Sequence, residues 1–334
     1  MPRQTRIDAP GALHHIIVRG IEKKQIFKDD TDREKFLERF GVILSDTKTD
    51  CFAWAIIPNH FHLLLRTGAT PISSVMRRLL TGYAMYFNRR YSRSGHVFQN
   101  RYKSILCQQE SYLLELVRYI HLNPLRAKLV KDYQELSTYP YCGHSGIIGK
   151  MKREWQNTDF VLQLFDDKVA KAVSKYQKYV HEGIAMGQRH DLIGGGLIRS
   201  QGGWQKIQEN RRNKVYQKGD ERILGDGGFV EEALRKAEQT LARKSQLQAQ
   251  GIDRDKVVER IAVLLQLCPG EVLAKGKKRK IVAARSLFCF WMSRELGVSH
   301  VSLARQLELS QAAISLAVDR GRKLAETYGY TLVE

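Results

Sequence analysis

Acidic residues are absent from the whole stretch between Asp50 and Glu110. Cysteine is scarce too, with five in 334 residues, at Cys51, Cys107, Cys142, Cys268 and Cys289. No two of them form a CxxC pair, which excludes the usual structural zinc sites and a disulfide framework. A reducing, cytoplasmic setting is expected. No run approaches the ~18–20 consecutive apolar residues of a membrane-spanning helix, so no membrane partner is expected. The opening MPRQTRIDAPGALHH contains no apolar h-region, and no secretory signal is expected. Hydrophobic residues make up 43 %, which supplies packed cores and excludes wholesale disorder. The length accommodates two or three domains.

What is abundant is positive charge. Lys and Arg number 55 against 35 Asp and Glu, a formal charge of +20. A polyanion is the natural partner for such a chain, the alternative being a basic but uncommitted surface. Residues 1–150 carry a net +10, while residues 151–250 and 251–334 carry +5 each, so the excess is not a basic tail. The acid-free window from Cys51 to Gln109 holds Arg66, Arg77, Arg78, Arg89, Arg90, Arg93, Arg101 and Lys103. Arg dominates, and its planar fork suits phosphate. Tyr83, Tyr86, Phe87, Tyr91, Phe98 and Tyr102 lie among them. Arg interleaved with aromatics fits a single nucleic-acid strand, which offers phosphates and unstacked bases together. Tyr83 and Phe87 are read instead as core. Arg77, Arg78, Arg89, Arg90, Arg101 and Lys103 are the candidate DNA contacts of this window.

Hydrophobic periodicity predicts strands over His14–Gly20, Cys51–Ile57, His60–Arg66 and Tyr102–Cys107. It predicts helices over Asp30–Leu44, Ile72–Tyr91 and Ser111–Leu122, the last stopped by Asn123-Pro124. Pro58-Asn59 is a tight-turn signal between the second and third strands. The order is β-α-β-β-α-β-α. It fits an α+β fold, a small ferredoxin-like antiparallel sheet with helices on one side. Helices are also expected at Lys168–Glu182 and Phe229–Gln250, with Gly194–Gly196 and Gly202–Gly203 marking a flexible stretch. Three regions follow: a domain over 1–145, a helical linker and support region over 146–250, and an all-α region over 251–334.

Alternation along a strand places His60 and His62 side by side, with Phe61, Leu63 and Leu65 on the other face. Two imidazoles so placed can chelate one divalent ion, although such pairs also occur as plain surface or hydrogen-bonded histidines. Tyr119 and Asn123, four residues apart, share a helix face. Asn123 offers a carbonyl oxygen as a third, hard ligand. Tyr119 offers a hydroxyl that becomes a nucleophile when a divalent ion polarises a phosphate. Packing of Tyr119 in the core and capping by Asn123 is the competing reading. His121 points elsewhere on the helix, towards a structural or DNA-contact role. Arg118 and Arg126 are candidate phosphate contacts.

His60-Phe61-His62 followed by three leucines resembles the HUH motif of single-strand transposases. PNHFHLLL together with RYIHLNPLRAKLV, and the opening HHIIVRGIEKKQIFKDDTDREKFLERF, resemble REP-associated tyrosine transposases over about residues 5–145. The resemblance implies a ferredoxin-like nuclease domain with Tyr119 as nucleophile and His60 and His62 as ligands of Mg²⁺ or Mn²⁺. It also implies Asn123 as the polar residue one turn after the tyrosine. Related transposases carry the longer Gln there. The implied reaction is transesterification on REP-like palindromic, single-stranded hairpin DNA, leaving a 5′-phosphotyrosine and a free 3′-OH.

Near the C-terminus, Ser302–Ser315 reads as a helix-turn-helix, with Ser310 as N-cap and Ile314 in the core. Gln311, Ala312 and Ser315 are expected to face a major groove. Glu308 stands where such turns usually carry Gly. A non-Gly residue at positive φ costs ~1 kcal/mol, so a looser or differently shaped turn is expected. Residues 252–328 resemble the DNA-binding domain of the bacterial replication initiator DnaA. That resemblance makes Lys277, Lys278, Arg279 and Lys280 phosphate contacts and duplex DNA a second partner. The combined expectation is a metal-dependent single-strand DNA endonuclease and strand transferase, working as a monomer or homodimer. The alternatives are a sequence-specific DNA-binding regulator with an inactive nuclease domain, and a hydrolase that uses water with Tyr119 structural.

Overall fold

The computed structural model describes residues 7–9, 11–68, 70–187, 189, 192 and 220–333. The glycine clusters at 194–196 and 202–203 lie outside the described residues. The chain divides into two compact units, one built mainly from residues up to Leu234 and the other mainly from Arg235 onward.

In the first unit, β1 (Leu13–Arg19), β2 (Asp50–Ile57), β3 (His60–Arg66) and β4 (Lys103–Cys107) form an antiparallel sheet. A two-residue strand, β5 (Ile223–Leu224), adds a parallel edge, and the order is β2-β3-β1-β4-β5. With α1 (Asp30–Thr47), α2 (Ile72–Arg90) and α3 (Gln109–His121) between and after the strands, the fold is α+β with ferredoxin-like strand order. The Pro58-Asn59 turn joins β2 to β3, so these strands pair as a hairpin.

Helices cover both faces of the sheet, not one. Phe61 meets Phe36 of α1 with ring centroids 4.7 Å apart, whereas its neighbour His62 meets Tyr119 of α3 at 5.8 Å. The reason lies in the strands. β3 is apolar on both sides, with Phe61, Leu63 and Leu65 on one and Leu64 on the other, and all of these are buried. A strand of that kind needs a second covering layer.

The second layer continues beyond α3 through α4 (Asn123–Arg126), α5 (Tyr133–Thr138), α6 (Gly143–Ile147), α7 (Thr158–Gln163) and α8 (Val169–Glu182). Leu136, Val161, Leu162, Ala172, Tyr176 and Val180 share one core with Leu64 and Ile120. Residues 158–182 are therefore part of the sheet domain's core. The strands β2 and β4 each gain a further backbone partner. The Ile56 amide donates to Tyr141 O at 2.9 Å on the β2 side, and β5 pairs with β4 on the other. Gln108 and Asp226 clasp each other through two hydrogen bonds of 2.8 and 3.0 Å and pin the β5 segment.

The second unit is helical: α9 (Gly227–Ala249), which straddles the boundary, α10 (Arg254–Leu265), α11 (Pro269–Val272), α12 (Arg279–Arg294), α13 (His300–Leu307) and α14 (Gln311–Tyr328). Asp253, Ser299 and Ser310 cap α10, α13 and α14 by accepting from amides of the first turn. Leu287, Phe288, Trp291, Leu303, Ile314 and Val318 fill its core. At Gly321 a Cβ would lie 2.0 Å from Ser286 O, so only glycine lets α14 approach α12 this closely. Glu308 adopts the left-handed conformation (φ 53, ψ 42) that the turn demands, and its carboxylate pairs with Lys275 at 2.6 Å. The turn is thus formed with Glu in the strained position rather than loosened. Among the described residues no helix is long and apolar enough to cross a membrane.

Candidate active site

Strand register assembles one face of the sheet. His60 lies opposite Arg19 of β1 and Ile57 of β2, and His62 lies opposite Ile17 and Ala55. His15, two residues before Ile17, falls on the same face diagonally from His62. Its Nε2 is 3.0 Å from His62 Nδ1, and both rings are buried. His60 Nδ1 is 2.7 Å from Asn59 Oδ1. Asn59 Nδ2 donates to Lys23 O at 3.2 Å, which orients that amide. Oδ1 can only accept, so His60 carries its proton on Nδ1 and keeps a lone pair on Nε2.

Burial, aided by the nearby positive charge of Arg19, pushes His60 down to about 4. Burial first, then His15, His60 and Arg19, hold His62 well below the ordinary imidazole range. Both rings are neutral at neutral pH, the form in which imidazole binds a metal.

α3 brings the tyrosine over this face. Leu113, Leu116, Val117 and Ile120 anchor the helix in the core. Tyr119, 7 % exposed, meets His62 and His15 edge-on, with centroids 5.8 and 6.0 Å apart. The Arg126 guanidinium lies 5.2 Å from the Tyr119 ring and donates to Tyr119 O at 3.3 Å. Pro124 does not release the chain into a loop. Leu122 stays right-handed (φ −84, ψ −5) and α4 starts at Asn123 with Pro124 in its first turn. There the missing N–H of proline costs nothing. Asn123 is buried, and among the described residues its Nδ2 has no hydrogen-bond partner. An unsatisfied buried amide is costly. A flip of the amide turns its oxygen to that position, where a cation would satisfy it.

Among the described residues no three His, Cys, Asp or Glu side chains gather as a metal site. His60 and His62 share one face of β3 with rings 5.4 Å apart, and their Nε2 atoms, with the Asn123 amide, are the donor types that could hold a divalent ion.

The expected DNA contacts divide sharply. Arg77, Arg89, Arg101 and Lys103 are exposed. Lys103 lies opposite Ile17, on the histidine face. α2, however, covers the opposite face, with Tyr83 and Phe87 buried in the core and Arg90 paired with acids at the start of α1. Asp32, fully buried at the start of α1, accepts from Tyr91 OH at 2.8 Å and Arg90 at 2.6 Å. Arg90 also pairs with Asp29 at 2.7 Å. Tyr83 and Phe87 are core. Arg78 lines a cavity of about 360 Å³ with Lys35, Arg39 and Tyr86, on the side away from the histidines. Arg118 is 6 % exposed, paired with Glu115 at 2.6 Å and stacked on Tyr179 at 4.1 Å. Arg118 is thus held in a buried ion pair rather than open to phosphate, whereas Arg90 is exposed at the surface while pairing with Asp29 and Asp32.

In the second unit Lys277, Lys278, Arg279 and Lys280 are exposed at the start of α12. Gln311 is half-buried at the start of α14. Ser315 is 3 % exposed and donates to Gln311 O at 3.1 Å, so it does not present itself to a groove. His121 is also interior. It shares the Tyr176 hydroxyl with His144, at 2.7 and 2.9 Å.

His15, Asn59 and Arg19 are the site residues that the motifs did not single out. The signal for His15 was available. In the pair His14-His15 of a central strand, alternation must send one ring to each face.

The chain has no match among curated proteins. A solved structure described as "Structure of the REP associates tyrosine transposase bound to a REP hairpin" is similar at 16 % identity and TM-score 0.37, over 47 % of this chain and 98 % of that one. Residues 10–123 match the family described as Transposase IS200 like. The segment that carries His60, His62, Tyr119 and Asn123 is thus the segment similar to that transposase family.

Proposed function

We propose that the first unit is a metal-dependent single-strand DNA endonuclease and strand transferase, a transposase acting on palindromic hairpins. The observation that carries this reading is the placement of Tyr119 against His62, 5.8 Å between centroids, on the sheet face that also bears His60. The family match over residues 10–123 agrees with it. His60 and His62 would hold Mg²⁺ or Mn²⁺ through Nε2, with Asn123 as the oxygen donor. A divalent ion bound there supplies charge neutralisation at the scissile phosphate.

Tyr119 Oη attacks phosphorus. The Oη–P bond forms, the P–O3′ bond breaks, the phenolic proton is given up, and the 3′-oxygen takes a proton as it leaves. The product is a 5′-phosphotyrosine with a free 3′-OH. One phosphodiester replaces another, so rejoining needs no external energy source. Arg126, stacked on Tyr119, orients the ring, and Arg19 and Lys103 offer positive charge to the incoming strand. Lys277, Lys278, Arg279 and Lys280 give the second unit a duplex-binding surface resembling that of a replication-initiator domain.

Incubation of the protein with labelled single-stranded hairpin DNA and Mg²⁺, followed by a denaturing gel, tests this. A covalent adduct abolished by Tyr119→Phe and by EDTA is expected. Cleavage without an adduct would point to a hydrolase. A shifted duplex without cleavage would point to a regulator.

A further inference from the structure

His15 touches both halves of the candidate site. Its ring stacks on His62, with centroids 5.3 Å apart and planes at 28°, and meets Tyr119 edge-on at 6.0 Å. It is fully buried and sits 47 residues before His62 in the chain. We infer that His15 is a positioning residue: its Nε2 accepts from His62 Nδ1–H and holds His62 in the tautomer that can bind a divalent cation. The inference rests on the proposed metal-dependent reading of His60 and His62.

A hydrogen bond between two imidazole nitrogens needs one N–H and one lone pair. If His62 donates from Nδ1, its Nε2 keeps the lone pair that ligates. If His15 donates instead, the proton of His62 sits on Nε2 and blocks ligation. The first arrangement makes His62 match His60, whose tautomer is set by the Asn59 Oδ1 acceptor. The two adjacent histidines are then prepared in the same way, one by a side-chain amide and the other by a neighbouring-strand imidazole. Ligand histidines are commonly oriented through their second nitrogen, and loss of such a partner costs about 10–100-fold in metal affinity. The contact of His15 with Tyr119 adds a second consequence, since the same ring that sets the ligand also limits where the nucleophile's ring can lie.

The test uses the full-length, DNA-free protein and Mn²⁺ followed by electron paramagnetic resonance. His15→Phe keeps a flat ring against Tyr119 but removes the acceptor, and should weaken Mn²⁺ binding by about 10–100-fold. His15→Gln keeps an acceptor oxygen and should stay close to wild type. Circular dichroism confirms that each variant is folded. Long-range ¹H–¹⁵N spectra of the metal-free wild type should show His62 protonated at Nδ1, a readout independent of any variant. The inference is overturned if His62 is protonated at Nε2, if His15→Phe binds Mn²⁺ like wild type, or if His15→Gln loses as much as His15→Phe. His62→Ala separates the two levels. If His62→Ala loses Mn²⁺ while His15→Phe retains it, only the role of His15 falls. If His62→Ala binds Mn²⁺ like wild type, the metal site itself falls and the inference with it.

Discussion

Arg90 and Asp32 are 58 residues apart in the chain and 2.6 Å apart in space, with Asp32 fully buried. Asp32 also accepts from the Lys28 amide at 2.9 Å and from the Tyr91 hydroxyl at 2.8 Å. The Arg-rich helix α2 therefore ends in a structural clasp. Asp32→Ala should lower stability by about 3 kcal/mol, the sum of several lost hydrogen bonds at a buried acceptor. Arg90→Ala should lower the melting temperature and leave the salt dependence of hairpin binding unchanged. Exposed Arg89 should do the reverse: Arg89→Ala should reduce the salt slope by about 1 with little change in melting. Equal salt slopes for the two variants would remove Arg89 from the DNA surface.

His60→Ala should reduce hairpin cleavage by ~100-fold or more, the scale of losing one group from a preorganised site. Its hairpin affinity in EDTA should match wild type, because phosphate contacts come from Arg and Lys elsewhere. Parallel loss of cleavage and of metal-free binding would count against a catalytic metal.

Arg118 gives a prediction opposite in kind to its position in the motif. It lies one residue before Tyr119 yet is held by Glu115 at 2.6 Å and by the Tyr179 ring. Burial raises the Glu115 carboxyl, but Arg118, Tyr179 and Arg189 outweigh that and leave it below the ordinary carboxylate range. Arg118→Ala should destabilise the first unit by about 2 kcal/mol, since Glu115 loses one of its three partners and keeps only Arg189 and Tyr179, and the Tyr179 ring loses the guanidinium stacked on it. Urea denaturation measures this, and hairpin affinity at low temperature should be unaffected.

The His121–Tyr176–His144 cluster should make stability fall in acid. Burial pushes His144 down to about 4 and holds His121 well below the usual imidazole value. Between pH 6.5 and 4 the unfolded chain takes up protons that the folded chain refuses. Stability is therefore full above about 6.5 and is lost as pH falls towards 4. His144 alone contributes about 3 kcal/mol across that window. Urea midpoints should drop from pH 7.5 to 4.5, with a shallower drop for His144→Phe. A flat wild-type profile would rule out a neutral, buried pair.

The turn between α13 and α14 offers a test in the second unit. Glu308→Gly should raise the melting temperature by relieving a left-handed backbone at a non-Gly residue, despite the lost exposed pair with Lys275. No rise, or a fall, in a thermal scan would mean that the Lys275 pair outweighs the strain.

Much of the site was legible because its chemistry is local. Alternation along β3 set His60 and His62 on one side, and β3 spans the same residues that the pattern marked, His60–Arg66. Ser310 caps α14 and Ile314 is core, as side-chain preference and helical period require. The short strand β5 was not legible. Two residues carry no period, and Ile223–Leu224 is a strand only because β4 offers its edge. The second helical layer was missed for a related reason. Leu64, Ala53 and Ala55 reveal an apolar second face only once the strands are aligned.

By itself the amino-acid sequence determined the strand and helix order, the His-x-His pair, the four-residue step from Tyr119 to Asn123 and the caps. Each of these depends on residues within about one turn or one strand of each other. Tertiary structure alone decided which charges are spent. The acid-free window of the chain is not acid-free in space, because Asp29 and Asp32 reach Arg90 and Asp50 reaches Arg66 at 2.8 Å. It also brought His15 to His62 across two strands. Such pairs arise from sheet register and helix packing, where the partner lies dozens of residues away and no local pattern encodes it.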